Sequence, residues 1–144
     1  MTKLPWTGDP LAYLATPYTK FPQGLSGAFV IAARLAARLL TAGVKVYSPI
    51  CHTHPIAIHG GLDPRDHAIW IPFDELMMAR CDILIVAHMD GWDESKGIAH
   101  EIEFFVRAGK PIFDLVPTTL MMSRRDLPPA AEAPEGVDWT LQTR

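Results

Sequence analysis

The run Asp82-Ile83-Leu84-Ile85-Val86-Ala87 constrains the fold more than any other stretch of the chain. It is short, β-branched and continuously apolar, with no polar alternation. A strand of that kind is buried on both faces, the situation of a central strand in a parallel sheet. Weaker strand signals surround it. Residues 12–15 form a short apolar run that stops at Thr16-Pro17. Val44-Lys45-Val46-Tyr47 is β-rich and alternating. Ile112-Phe113-Asp114-Leu115-Val116 supplies a fourth strand.

Helical periodicity fills the gaps. Residues 24–42 carry Phe29, Ala32, Ala33, Ala36, Leu39 and Leu40 at helical spacing and stop at Gly43. A second helix runs up to Arg80, with Pro72 in its first turn or at a kink. A third spans residues 95–108, with Ile98, Ile102, Phe105 and Gly109 on its inner stripe. The order strand-helix-strand-loop-helix-strand-helix-strand predicts an α/β fold. The expected form is a single-domain three-layer sandwich with a four- or five-stranded parallel sheet, Rossmann/flavodoxin-like, in strand order 2-1-3-4. Residues 48–65, dense in Pro, Gly and His, read as a long functional loop. After Thr118 the signal weakens. The domain is expected to cover residues 1–127. Residues 128–144 form a Pro/Ala/Glu-rich tail whose end Trp139 and Leu141 could anchor. Right-handed crossovers bring Thr16-Pro17-Tyr18, Ser48-Pro49 and residues 87–92 to one sheet edge, the expected binding face.

With 144 residues, one domain with a real core is expected. A net charge of -3 without clustered Lys and Arg argues against a nucleic-acid polymer as partner. The apolar stretches read as too short for a membrane span, and the start lacks the apolar core of a signal peptide. Cys51 and Cys81 stand alone, outside any Cys-x-x-Cys pair, so a reduced, cytoplasmic setting is expected.

Chemistry concentrates in residues 90–111. There an acidic, Gly-containing loop follows the buried strand and opens into a helix carrying Glu101. The carboxyl end of a strand in an open parallel sheet is where ligands bind. Gly97 stands four residues before Glu101, so a ligand could approach the backbone there and reach the carboxylate. Glu101 is thus a candidate nucleophile or base; its plain alternative is a solvent-facing acid like Glu103. Ser95 reads as an N-cap first and an anion-binding residue second. Asp74 is either a helix acid near the dipole or an active-site carboxylate paired with Glu101, the arrangement used in glycosyl transfer. Asp90, Asp93 and Glu94 are loop acids, one of which could protonate a leaving group. His52, His54, His59 and His67 lie close to Cys51, but no zinc-ligand spacing is present. No metal or cofactor is expected, and the histidines, His54 among them, read as pocket lining. Trp92 and Trp70 could stack on a base or pack at an interface.

Three segments, taken in order, resemble the nucleoside 2-deoxyribosyltransferase family and its nucleoside 5′-monophosphate N-glycosidase relatives. Tyr13-Leu14-Ala15-Thr16-Pro17 is similar to the family's opening Tyr-Leu-Ala-Gly-Pro strand. Asp74 followed by Cys81-Asp82 and an apolar strand is similar to its helix acid and strand start. Residues 95–101 through Gly109-Lys110-Pro111 are similar to its Glu-bearing helix and Gly-Lys-Pro end. The resemblance spans residues 13–116. It implies that Glu101 is the nucleophile, that Asp74 orients it and contacts the sugar, and that Tyr13 positions the carboxylate. It also implies that Ser95 helps hold a 5′-phosphate. Thr16, Pro17, Trp92, Gly97 and His54 complete the expected substrate site. The chain departs from the pattern at Thr16, where the family has Gly, at Glu103, where it often has Gly, and in its His-rich segment.

The expected activity is cleavage of the N-glycosidic bond of a nucleoside or nucleoside 5′-monophosphate, by hydrolysis or deoxyribosyl transfer. Two alternatives are a nucleotide-binding module without turnover and a metal-dependent hydrolase built on the histidines. A homodimer or larger assembly is also expected. The resemblance implies sites shared across subunits, and Trp70, Phe73, Met77 and Met78 exceed what one small helix needs to bury.

Overall fold

A computed structural model describes residues 3–127. The expected tail and its anchors Trp139 and Leu141 lie outside the described residues. The described chain is an α/β structure with one five-stranded, mostly parallel sheet. In chain order it forms β1 (Leu11–Ala15), α1 (Gly24–Thr41), β2 (Lys45–Tyr47), α2 (Pro49–Gly60), α3 (His67–Arg80), β3 (Ile83–Ala87), α4 (Lys96–Arg107), β4 (Ile112–Leu115) and β5 (Met122–Arg124). A 3₁₀ turn, Trp92–Glu94, precedes α4.

The strand order is β2-β1-β3-β4-β5. The first four strands keep the expected order and run parallel, with Tyr13 beside Leu84 and Leu84 beside Ile112. The expectation of a wholly parallel sheet is corrected at the edge, where β5 pairs antiparallel with β4. A parallel return needs a crossover of a dozen residues or so, whereas the short turn here permits only a hairpin. Val116 N–H donates to the Met121 carbonyl and Leu120 N–H to that of Val116. Leu120 takes a left-handed φ of 61° to close the turn.

β3 is buried along its whole length, as its composition requires. Alternate residues of the strands feed two apolar clusters. Ala12, Leu14, Ile83, Ile85, Phe113 and Leu115 pack with Leu35 and Leu39 of α1. Tyr13, Leu84, Val86 and Ile112 pack with Met78 of α3 and with Ile98 and Phe105 of α4. The buried stripe of α1 is Ala28, Ala32, Leu35 and Leu39: Ala32 and Leu39 belong to the expected stripe, Ala28 and Leu35 replace Phe29 and Ala36, and Leu40 is exposed. α1 also corrects the reading that every apolar stretch is too short for a membrane: by length and composition it could cross one. Its packing on the sheet, and the Arg38 guanidinium donating to the carbonyls of Pro117 and Thr118, give it the role of a core helix.

The expected loop over residues 48–65 is instead mostly helix. Ser48 caps α2 by accepting from Cys51 N–H, Pro49 occupies the first turn, and Gly61 closes the helix at a left-handed φ of 72°. Serine before proline and glycine at the end are helix punctuation, and Pro55 within the helix masked it. α3 begins at His67, capped by Asp66, so Pro72 is interior to the helix and not in its first turn. At the far end of α3, Lys110 Nζ donates to the carbonyls of Met78, Ala79 and Cys81.

Candidate active site

Two short-range features build the site from the sheet edge outward. Thr16 and Tyr18 follow β1, while Ser95, Lys96 and Gly97 begin α4 after β3. With order 2-1-3, β1 and β3 flank the point where the chain reverses its direction of winding, the place where open sheets bind ligands. α2 and α3 close the other sides. The cavity between them has a volume of about 330 Å³, within the range of small-molecule sites.

Asp74 reaches this cavity from α3 and Glu101 from α4. Glu101 falls between Ile98 and Phe105 on the buried stripe of its helix and is 9% exposed. Burial raises its pKa from 4.5 to about 8; the nearby Tyr13 hydroxyl works against that rise and the Asp74 charge adds to it. Burial likewise raises Asp74 to about 7. Tyr13, fully buried on β1, is pushed well above its ordinary value by burial and by the charges of Glu101 and Asp74. The hydroxyl thus feels the carboxyl, yet no hydrogen bond of normal geometry joins them. Tyr47 packs on Tyr13 with ring centroids 5.7 Å apart, and its pKa is also raised by burial and by Asp74.

The oxygens of this group share a second property. Among the described residues, Tyr13 Oη, Thr16 Oγ1, Tyr47 Oη and Asp74 Oδ1 are buried without any hydrogen-bond partner. Thr16 and Asp74 line the cavity, and the two tyrosines are electrostatically linked to Asp74 and Glu101. Buried polar groups in folded proteins are nearly always paired, so unpaired ones gathered in one place call for a reason. Two carboxyls with raised pKa values in a cleft make this cavity the candidate functional site.

Of the sequence-predicted residues, Glu101, Asp74, Thr16, Ser95 and Gly97 line one cavity, with Tyr13 behind them. Ser95 caps α4, accepting from Ile98 N–H at 3.2 Å. Pro17, Trp92 and His54 do not line it. Trp92 stacks on His88 at 4.0 Å instead. His88 pairs with Asp114, which Arg125 also grips. Burial alone would raise Asp114, but these partners hold it below its ordinary value. His54 is buried behind the wall, against Phe29 and the Tyr18 hydroxyl. The histidines scatter: His52 stacks on Phe73, and His67 faces the cavity. Among the described residues no three His, Cys, Asp or Glu side chains gather as a metal site.

Tyr18, placed by the sequence at the expected binding edge, lines the cavity; Thr53, Arg65, Lys96 and His100 also line it and were not singled out. His100 Nε2 is 3.1 Å from Glu75 Oε1. Pro49 reaches the cavity from the expected strand end, but Thr53 one turn further on was hidden because α2 was read as loop. Gly91 completes the architecture. It sits at a φ of +88°, and a Cβ there would fall 2.4 Å from the Lys20 carbonyl oxygen. Only glycine lets the loop after β3 pass this close to the loop after β1.

A family model described as "Domain of unknown function (DUF1937)" matches residues 11–116. The chain belongs to the DUF1937 family. The match begins with the first residue of β1 and ends just after β4, so it contains every cavity-lining residue of this DUF1937 domain. The hairpin strand β5 lies beyond it. No curated protein matches the chain.

Proposed function

We propose that this DUF1937 protein cleaves the N-glycosidic bond of a nucleoside or nucleoside 5′-monophosphate, with Glu101 as nucleophile. One observation carries the reading: a desolvated carboxyl at about pKa 8 faces a ligand-sized cavity beside a second carboxyl and in front of a fully buried tyrosine. The resemblance of residues 13–116 to nucleoside 2-deoxyribosyltransferases supports the same roles. The fold reading that goes with it is a single-domain, three-layer, Rossmann/flavodoxin-like sandwich.

The chemistry follows from the electrostatics. Glu101 in the free protein favours its neutral form because burial penalises the charge. An N-glycosidic bond breaks through an oxocarbenium-like state that places positive charge on the sugar. That charge is the complement a desolvated carboxylate lacks, so the pair is stabilised more in the transition state than in the free protein. As the C–N bond breaks, its electron pair goes to the base, which takes up a proton from water. The Glu101 oxygen bonds to the anomeric carbon. Water then frees the sugar, or a second base accepts it. Asp74 orients the carboxylate and contacts the sugar, and Tyr13 supports it from β1. A module that only binds would have no use for two carboxyls held above their ordinary range.

A reduced, cytoplasmic setting suits the unpaired Cys51 and Cys81. A homo-oligomer is part of the same reading. Met78 is wholly buried in its own chain, which removes it from the argument, but Ile69 and Phe73 of α3 stay exposed. Light scattering at micromolar concentration that gives a monomer mass refutes the oligomer.

The deciding experiment incubates the protein with nucleosides and their 5′-monophosphates, with and without an acceptor base, and measures free base. Release by the wild type that is lost in Glu101→Ala supports the proposal. Unchanged release in that variant removes Glu101 as nucleophile, and no release from any compound removes the activity.

A further inference from the structure

Tyr18 lines the cavity from the irregular segment after β1, where no strand or helix fixes its side chain. What fixes it is a side chain from another element. Its hydroxyl hydrogen-bonds the Nδ1 atom of His54 on α2. His54 is itself packed in place: it is 5% exposed and stacks on Phe29 of α1 at 4.9 Å. The two rings meet nearly edge-on, at 84°.

We propose that Tyr18 is a ligand-contacting residue that accepts a hydrogen bond from a sugar hydroxyl, and that His54 is its positioning residue. The proposal rests on the nucleoside reading of the cavity. Burial and the neighbouring His59 favour the neutral form of His54. A neutral imidazole offers one ring nitrogen as acceptor. A phenol is the better donor of the two groups and an imidazole nitrogen the better acceptor, so the Tyr18 proton points to Nδ1. The phenol oxygen then has only lone pairs left to present to the cavity. Arg65, on the same cavity wall, offsets part of the rise that burial causes in the Tyr18 pKa, so its cation is felt at that oxygen. A fixed, donor-free oxygen in a pocket selects for a hydroxyl and against its absence.

The test compares wild type, Tyr18→Phe, His54→Asn and His54→Leu. Each is assayed on nucleosides and on their 2′-, 3′- and 5′-deoxy analogues, with KM and kcat measured separately and binding followed by calorimetry. The wild type should prefer the full nucleoside over one analogue by about tenfold, the value of one good neutral hydrogen bond. Tyr18→Phe should bring that ratio near one, chiefly by lowering kcat/KM for the full nucleoside. His54→Asn, which keeps a polar atom near the Nδ1 position, should retain the preference, and His54→Leu should lose it. Should His54→Leu fail to fold by circular dichroism, the Phe and Asn variants decide. A wild-type ratio persisting in Tyr18→Phe overturns the proposal, as does an equal loss on every compound, which marks Tyr18 as wall packing alone. In both cases the N-glycosidase reading survives. If the wild type neither binds nor cleaves any nucleoside, both readings fall together.

Discussion

Replacing Glu101 by Gln should stabilise the protein, and only at high pH. The folded chain holds this carboxyl at about 8 against an ordinary 4.5. Below pH 4.5 the folded and unfolded chains both carry the proton, and burial costs nothing in charge. Between 4.5 and 8 the unfolded chain releases the proton and the folded chain keeps it, so stability falls as pH rises. Above 8 the penalty is complete and constant. At about 1.4 kcal/mol per pH unit it amounts to about 5 kcal/mol. Relaxation of the surroundings reduces what is realised, so about 2–4 kcal/mol is expected.

Glutamine has nearly the shape of the neutral acid and cannot ionise. Thermal melts of wild type and Glu101→Gln across pH 5 to 9 therefore isolate the effect. At pH 5 the two should melt together. By pH 9 the variant should melt higher by about 6–12 °C, taking about 3 °C per kcal/mol for a chain of this size. A gap that stays the same at every pH refutes the reasoning, since a packing difference does not titrate. A variant less stable at pH 9 refutes it more directly, for the carboxylate would then be making a favourable contact.

Four further outcomes are expected. kcat/KM for base release should rise with pH through about 7 to 8, because the coupled Asp74 and Glu101 pair must lose a proton for attack; a flat profile from pH 5 to 9 contradicts this. Ser95→Ala should cost about 1 kcal/mol of stability in urea unfolding, as loss of an N-cap does. If Ser95 serves only as the cap, any preference for monophosphates over nucleosides stays intact; a collapsed preference would make its O–H, left free by accepting from Ile98 N–H, a phosphate donor. Lys110→Met should cost about 2 kcal/mol by the same assay, because it strips a charged donor from three carbonyls at the end of α3; no change would show those carbonyls to be solvated. Gly91→Ala should lower the melting temperature and weaken ligand binding together, since its Cβ collides with the Lys20 carbonyl; a wild-type melt would refute the close approach.

The parts of this fold that were legible in the sequence are those where one physical signal acts alone. β3 has nothing but apolar residues, and it is the buried strand beside β1. α4 has a serine cap, a strong amphipathic pattern and a glycine past its end, and its bounds fall within a residue of the expected ones. Competing signals hid the rest. In α2, Ser48, Pro49 and Gly61 mark a helix, but Pro55 and Gly60 argue against one at short range, and packing against α1 and β1 decides. α1 is apolar nearly all round, so its sequence does not identify the buried stripe; contact with Leu14 and Ile85 selects Leu35 over Leu40. β5 is three residues long, too short for any period to show.

Glu101 was legible for a stronger reason than the one the strand edge supplied. Ile98, Glu101 and Phe105 stand three and four residues apart, the spacing of a core-facing stripe, and Ile98 and Phe105 are buried to within 1%. A carboxylate in that register opposes the hydrophobic pattern on either side of it. Alanine or leucine there would satisfy the stripe without any desolvation penalty. The neighbouring Glu103 shows where an acid goes when stability alone decides: on the exposed face, paired with Arg107. The destabilisation expected at Glu101 and the chemistry proposed for it therefore have one origin, the removal of a carboxyl from water. A substitution that relieves the first should abolish the second.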